Sequence, residues 1–259
     1  MAWQALEGPT SSEWEYWAAY RPAGHTHWLA RVRVMYDMMP EPGCISLNSV
    51  TAAVSPQGVG EVGISSYDPG SSANGWRVDV VVHQLTGQWR GTKGLSAIGT
   101  SASGRALAFD GHGNLTAAYL DDVGGIRDDL ITRTRKATSV GWGPETDVTA
   151  GIPNTNVDTP PQSAVAPNGN AVIGFQLAYS GGPNTNDATA ITRVGPTGVW
   201  TAPSGIAVGG SQSSPTVTGI ASNGRAYVLY DYTGGSPSQD FVGTARAMAG
   251  SPVRRLPPR

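Results

Sequence analysis

The stretch APNGNAVIGF, residues 166–175, recurs in altered form at three other places in the chain. The related stretches are SPQGVGEVGI from Ser55, DGHGNLTAAY from Asp110 and ASNGRAYVLY from Ala221. Their central glycines are Gly58, Gly113, Gly169 and Gly224, at intervals of 55, 56 and 55 residues. Such regular spacing predicts a structural repeat of about 55 residues.

Each repeated stretch has the pattern of a β-hairpin. A short apolar run precedes the glycine, and a second run ends six residues after it, at Ile64, Tyr119, Phe175 or Tyr230. Two such runs joined by a tight turn rich in Gly, Asn and Asp predict antiparallel strands. The glycine is expected at positive φ, which only glycine adopts at little cost. The large residue that closes each run is expected to pack between sheets.

A third strand is predicted in each unit, and a tryptophan opens a weaker fourth strand in three of them. The third strands are RVDVVVH at 77–83, DLITRTR at 129–135, ATAITRV at 188–194 and FVGTARAM at 241–248; the tryptophans are Trp89, Trp142 and Trp200. Four antiparallel strands in a unit of this length are typical of a β-propeller blade. No run of 10 to 12 residues has helical apolar spacing.

A divergent copy, SEWEYWAAYRPAGHTHWLARVRV, precedes the four regular ones, with Tyr20 in the place of Tyr119. The sequence therefore predicts one all-β domain, a five-bladed β-propeller of four-stranded antiparallel blades closed by pairing of the N- and C-terminal segments. The predicted blades cover about 8–48, 49–100, 101–155, 156–211, and 212–259 together with 1–7. AWQAL is favoured as the strand that completes the last blade; alternatively it begins the first blade, and SPVRRLPP completes the last.

The four-strand unit resembles the repeats of sialidase-like and lectin-like propellers, including the five-bladed animal lectins. The sialidase Asp-box, Ser-x-Asp-x-Gly-x-Thr-Trp, is echoed by VGPTGVW at 194–200 and LTGQW at 85–89, without the serine and aspartate. The resemblance would make three of the third-strand arginines a carboxylate clamp. These arginines are Arg33, Arg133, Arg193 and Arg246, with His83 in the remaining blade. Third strands lie away from a central channel, so a structural role is predicted instead.

The loops between second and third strands are long and variable, unlike the short first turns. Binding residues are often carried on variable loops of a rigid scaffold. Aromatic rings beside short polar side chains suit a sugar, whose ring has an apolar face and a hydroxyl-rich edge. The predicted ligand-binding residues are Trp28, Tyr67, Trp76, Tyr179 and Tyr232.

An acidic cluster, DDVGGIRDD, contains Asp121, Asp122, Asp128 and Asp129. Such a cluster suits Ca²⁺ or a glycosidase carboxylate pair. The Asp-x-Asp-x-Asp spacing of a calcium loop is absent, Arg127 lies inside, and no acidic position repeats around the units. A solvated loop is therefore predicted, with no catalytic residue, no metal site and no cofactor.

The net charge of −2 gives no attraction for nucleic acid, and no apolar stretch is long enough for membrane insertion. The N-terminus has no basic region followed by an apolar run, which predicts either no export signal or a signal already removed. The favoured function is a non-enzymatic recognition or adhesion module that binds glycan or another cell-surface component. An extracellular or virion-associated location is expected, as part of a phage tail or capsid assembly with other proteins. The alternatives are a sialidase-like glycoside hydrolase and a structural assembly protein.

Overall fold

A computed structural model describes residues 1–6, 13–38, 50–67, 76–83, 87–97, 101–122, 127–152, 155–179, 186–207, 213–232, 239–246 and 254–255. These residues form strands, turns and irregular segments without any helix, which confirms the all-β prediction. It follows that the described ranges hold no helix of the length and apolar character that a membrane span requires. The chain divides into two compact units, Met1–Arg105 and Ala106–Arg259.

The first unit contains two antiparallel sheets. The first sheet has the order β1-β2-β3, formed by β1 Ala2–Leu6, β2 Glu13–Ala18 and β3 Val32–Met38. The second has the order β4-β5-β6-β7, formed by β4 Thr51–Val54, β5 Gly60–Tyr67, β6 Trp76–His83 and β7 Trp89–Gly94. Each strand pairs with its successor in the chain, as predicted for hairpin-connected repeats.

The N-terminal strand corrects one prediction. Residues 2–6 form β1, which pairs with β2 in the first sheet, with Trp3 opposite Trp17. The Met1 amino group and the Ala19 backbone extend this pairing, since each donates a hydrogen bond to the other residue's carbonyl. AWQAL therefore begins the first sheet instead of completing the last one. A short strand such as AWQAL fits either position, because its residues do not specify which neighbour it pairs with.

The core of the first unit lies between its two sheets. Tyr16 and Ala18 of β2 pack against Val62 and Ile64 of β5 and Val81 of β6. The Tyr16 hydroxyl donates a hydrogen bond of 3.0 Å to the Ser65 carbonyl, so its polar end is satisfied although the ring is buried. Tyr16, not Tyr20, fills the core position in this sheet, because β2 ends at Ala18.

The second unit contains most of a third sheet and two further sheets. The third sheet has the order β11-β10-β9-β8, with β8 Ser103–Phe109, β9 Leu115–Asp122, β10 Asp128–Arg135 and β11 Thr146–Asp147. In the fourth, β12 Thr155–Val157 and β13 Gln162–Val165 both pair with β14 Ala171–Tyr179, which is followed by β15 Asn186–Arg193 and β16 Ser204–Ala207. The fifth has the order β17-β18-β19-β20, with β17 Ser213–Ile220, β18 Arg225–Tyr232, β19 Gln239–Arg246 and β20 Arg254–Arg255.

Apolar faces of neighbouring sheets pack together within the second unit. One cluster joins Leu120 and Leu130 of the third sheet to Val157, Ile173 and Phe175 of the fourth. A second joins Val172 and Ile206 of the fourth sheet to Val228 and Tyr230 of the fifth. Phe175 and Tyr230 therefore occupy the inter-sheet core, as predicted from their recurrence.

The repeated turns have the predicted backbone conformation. Gly58, Gly113, Gly169 and Gly224 have φ between 79° and 88°. In the second unit the turns of successive sheets also contact each other. The Gly111 amide donates to the Pro167 carbonyl at 3.0 Å, and the Asn168 side-chain amide donates to the Ser222 carbonyl at 2.7 Å. The repeated phrase therefore forms a tight turn and also links neighbouring sheets.

Candidate functional site

Four aspartates lie where β9 ends and β10 begins. Asp122 is directly opposite Asp128, and Asp121 is directly opposite Asp129. Successive side chains of a strand point to opposite faces, so the Asp122–Asp128 pair is on one face and the Asp121–Asp129 pair on the other. These residues belong to strands, which corrects the prediction of a solvated loop.

Asp129 is part of a structural hydrogen-bond network. Its side chain is 3% exposed and forms a salt bridge with Arg127, with Arg127 Nε 3.1 Å from Asp129 Oδ1. Thr149 donates its backbone amide to Asp147 Oδ1 at 2.8 Å and accepts a hydrogen bond from the Leu130 amide at 3.0 Å. Burial, followed by the charge of Asp147, raises the pKa of Asp129, while Arg127 opposes this shift. A buried carboxylate paired in this way is poorly placed to react, because breaking the pair would leave an uncompensated buried charge.

Asp128 lies next to the fourth sheet. Its backbone amide donates to Asn156 Oδ1 at 2.6 Å, and Asn156 Nδ2 donates to Asp158 Oδ1 at 2.5 Å. Burial raises the pKa of Asp128 to about 6, and the negative charges of Asp122, Asp158, Asp121 and Asp129 contribute in that order. A substantial fraction of Asp128 is therefore protonated at weakly acidic pH.

Asp122 has a different environment from Asp128. It lies at the last position of β9, and its Oδ1 atom is buried and accepts no hydrogen bond from the described residues. Two carboxyl groups on one face, one of them with a raised pKa, are the arrangement required for general acid catalysis with a second carboxylate. Leu120 and Leu130 lie one step further along the same face and form the apolar base of this site.

The described residues hold no group of three or more His, Cys, Asp or Glu side chains that could bind a metal ion. The two acidic pairs lie on opposite faces of the hairpin, so they do not converge on one point.

The structure places four of the five predicted sugar-binding aromatics at strand ends. In the first unit Tyr67 ends β5 and is directly opposite Trp76, the first residue of β6. Trp28, in the same unit, is 46% exposed, and the Arg21 guanidinium carbon lies 5.4 Å from the centroid of the Trp28 ring. In the second unit Tyr179 ends β14 and Tyr232 ends β18. The backbone of Tyr179 adjoins the acidic site, because its neighbour Ala178 is directly opposite Asn156.

The structure also defines the role of the third-strand cations. Arg193 is 4% exposed and donates to the hydroxyls of Thr134 and Thr116, both at 2.8 Å. It therefore bridges the third and fourth sheets, in agreement with the predicted structural role. The strand register shows that Arg135, not Arg133, is the counterpart of Arg193 in the third sheet. Arg135 is opposite Leu115 and Arg193 is opposite Ala171, and both of these partners lie two residues after the central glycine of their repeat.

The repeated tryptophans pack against these cations. Trp200 lies 4.7 Å from the Arg193 guanidinium, and Trp142 lies 5.5 Å from that of Arg135. Trp89 contacts His83 edge to face at 4.8 Å between ring centroids. Sequence reasoning identified the tryptophans, Arg193 and His83, but it named Arg133 in place of Arg135 and did not pair the cations with the tryptophans. The signal was available, because each tryptophan follows its cation by six or seven positions.

No protein-family model matches the chain, and no curated protein sequence matches it either. Solved structures share its fold. An ulvan lyase, described as a new family of polysaccharide lyase PL25, has a TM-score of 0.63 and 10% identity over 98% of this chain and 67% of its own. A PL25 ulvan lyase bound to the repeat GlcA(1-4)Rha3S gives the same values. The Hadza microbial sialidase Hz136 has a TM-score of 0.53 and 11% identity over 76% of this chain and 44% of its own.

These comparisons correct the favoured functional prediction. The named proteins that share the fold are carbohydrate-active enzymes, a sialidase and polysaccharide lyases, so they favour the alternative of a glycoside hydrolase over a non-enzymatic recognition and adhesion module. The present chain spans less than half of the sialidase and about two thirds of the lyase. The resemblance to sialidase-like propellers is supported at the level of the fold.

Proposed function

We propose that this chain is a glycoside hydrolase in which Asp128 is the general acid and Asp122 the second carboxylate. The observation that carries the proposal is the pairing of these two residues, directly opposite each other on one face at the ends of β9 and β10. Their environments differ, because Asp128 contacts Asn156 of the next sheet and has a raised pKa, whereas Asp122 ends its strand. A carboxyl group with a raised pKa beside a second carboxylate can act as the acid while the second acts as nucleophile or base.

The strand register also indicates the stereochemical course. Directly opposed residues of antiparallel strands have Cβ atoms about 4.5 to 5.5 Å apart, and the carboxyl carbon of an aspartate is bonded directly to its Cβ. Retaining glycosidases hold their carboxyl groups about 5 Å apart, whereas inverting enzymes need a larger gap for a water molecule. A retaining reaction is therefore proposed. Asp128 protonates the glycosidic oxygen as the bond to the leaving group breaks, and Asp122 attacks the anomeric carbon. Water, deprotonated by Asp128, then hydrolyses the glycosyl-enzyme.

A screen for released reducing ends tests the proposal. The purified chain is incubated at weakly acidic pH with neutral and acidic polysaccharides, alongside Asp122→Asn and Asp231→Asn variants. Asp231 is a matched control, since it belongs to another carboxylate pair, opposite Asp240 in β18 and β19. Activity in the wild type and in Asp231→Asn, with loss in Asp122→Asn, is the expected result. Release of reducing ends at equal rates by all three proteins would overturn the assignment.

Tyr179 is proposed to contact the substrate, because its strand position adjoins the acidic site. An aromatic contact contributes about 1 kcal/mol, so Tyr179→Ala is expected to raise KM by roughly fivefold and to leave kcat nearly unchanged. Initial rates over a range of substrate concentrations measure both constants. Tyr232→Ala is the comparison, since Tyr232 ends a strand of the fifth sheet. A fall in kcat without a change in KM would assign Tyr179 a different role.

The five sheets are proposed to be the blades of a five-bladed propeller. The support is the repeat of about 55 residues and the pairing of strands in chain order within successive sheets, apart from β12, which pairs with β14 beside β13. In such a ring the acidic site lies at the end of its blade where the second and third strands are connected, which is the end predicted from the variable loops to carry the function.

A further inference from the structure

A basic groove lies at the other end of β10 from the carboxylate pair. It has a volume of about 590 Å³ and is formed within the second unit by β10, the turn that follows it and the segment after β15. Its cationic lining residues are Arg133, Lys136 and Arg193. Trp200, Pro196 and Val199 supply an apolar wall, and Asn114 and Thr134 supply polar groups.

The base of the groove contains a buried cation without a carboxylate partner in the described part of the chain. Arg193 donates through Nη1 and Nη2 to neutral threonine hydroxyls, and its Nε atom has no hydrogen-bond acceptor among the described residues. Burial lowers the pKa of Arg193 to about 10, so it keeps its charge at neutral pH. Asp110 favours the charged form electrostatically, but its oxygens accept hydrogen bonds from the backbone amides of His112 and Asn114 and from Asn114 Nδ2.

The remaining charges also leave the groove positive. Arg133 is 3.4 Å from Glu145, whose carboxylate also accepts a hydrogen bond from the Tyr119 hydroxyl at 2.9 Å. Lys136 is exposed and forms no ion pair with the residues that the structure describes. No acidic residue lines the groove within that part of the chain. A concave site with one sign of charge concentrates ligands of the opposite sign.

We propose that this groove binds the carboxylate or sulfate group of an anionic saccharide, at a site separate from the carboxylate pair. Guanidinium and ammonium groups recognise such anions. The apolar wall formed by Trp200, Pro196 and Val199 suits the apolar face of a sugar ring. Asp128 of the acidic site and Thr134 of the groove are six residues apart on β10, which places the groove roughly 20 Å from the acidic site. A saccharide bound in the groove therefore does not compete with a substrate for the carboxylates. The inference rests on the proposed function only in taking the ligand to be a saccharide.

Calorimetric titration with a heparin-derived hexasaccharide tests the groove, with maltohexaose as the neutral comparison. Lys136→Gln and Arg133→Gln are each expected to weaken binding of the sulfated probe by about fivefold. Binding should also weaken as salt increases, because exposed charges are screened. Arg225→Gln is the matched control, since it removes an exposed cation elsewhere in the same unit and should leave binding unchanged.

The inference is overturned if maltohexaose binds as tightly as the sulfated probe, if neither groove variant weakens binding, or if Arg225→Gln weakens it equally. Binding is measured without turnover, so the result is independent of the hydrolase assignment. A chain that binds the sulfated probe through Lys136 but releases no reducing ends supports the groove and contradicts the proposed function.

Discussion

Replacing Asp128 by asparagine is expected to lower kcat by roughly 10²- to 10⁴-fold, the usual contribution of a general acid. Asparagine has nearly the same shape and can keep the backbone hydrogen bond to Asn156, but it cannot donate a proton to the leaving group. The wild-type rate should fall as the pH rises through about 6, because burial and the neighbouring carboxylates raise the pKa of Asp128 to that value. Initial rates from pH 4 to 8 measure both effects.

The same substitution should increase stability, which separates catalysis from a structural role. The pKa of Asp128 is raised from 3.8 in a free aspartate to about 6 in the native protein. The native state therefore binds more protons than the unfolded state between these values, and its free energy of unfolding decreases as pH rises from about 4 to about 6. Because asparagine does not titrate, the variant lacks this pH-dependent loss of unfolding free energy. Asp128→Asn should be more stable than the wild type at pH 7.5 but not at pH 4. A variant that loses activity together with stability at pH 7.5 would show that Asp128 is structural.

Gly169→Val is expected to cause the largest loss of stability, roughly 3 kcal/mol or more. Gly169 has a φ of 84°, which is strained for a β-branched residue. An added Cβ would also lie 2.6 Å from Pro196 Cδ and 2.7 Å from Pro196 N, and the backbone nitrogen cannot move aside cheaply. The substitution therefore combines backbone strain with a steric clash. Urea denaturation measures the change.

Gly151→Val is the matched control for this effect. Gly151 has a similar φ of 78°, but no atom beyond its chain neighbours lies within 4 Å of the position that a Cβ would take. Its substitution should cost only the backbone strain, about 1 kcal/mol. Equal losses of stability in the two variants would show that the clash with Pro196 adds nothing to the destabilisation of Gly169→Val.

The repeated turns could be predicted from the sequence because their determinants are local. A glycine at positive φ between two apolar runs is visible in ten residues, and all four central glycines have the expected conformation. The burial of Phe175 and Tyr230 followed from the same repeat. The position of β1 did not follow, because the alternating pattern of a strand is the same whichever neighbour it pairs with.

The candidate site was harder to predict because it depends on register and on a neighbouring sheet. The four aspartates are conspicuous in the sequence, but only the pairing of Asp122 with Asp128 places two of them on one face. Asn156, which contacts Asp128, comes from the next sheet. The counterpart of Arg193 was misassigned to Arg133 for a related reason. The connections between second and third strands differ in length, so counting residues from the central glycine does not preserve the register.

Proton NMR of a polysaccharide digest, followed from the first minutes of the reaction, tests the hydrolase assignment most directly. A retaining hydrolase gives saturated products whose new reducing ends first appear with the anomeric configuration of the bond that was cleaved, and Asp128→Asn is expected to give no such products. Olefinic signals of an unsaturated sugar would identify a lyase and contradict the proposed function, as would cleavage by Asp128→Asn at the wild-type rate.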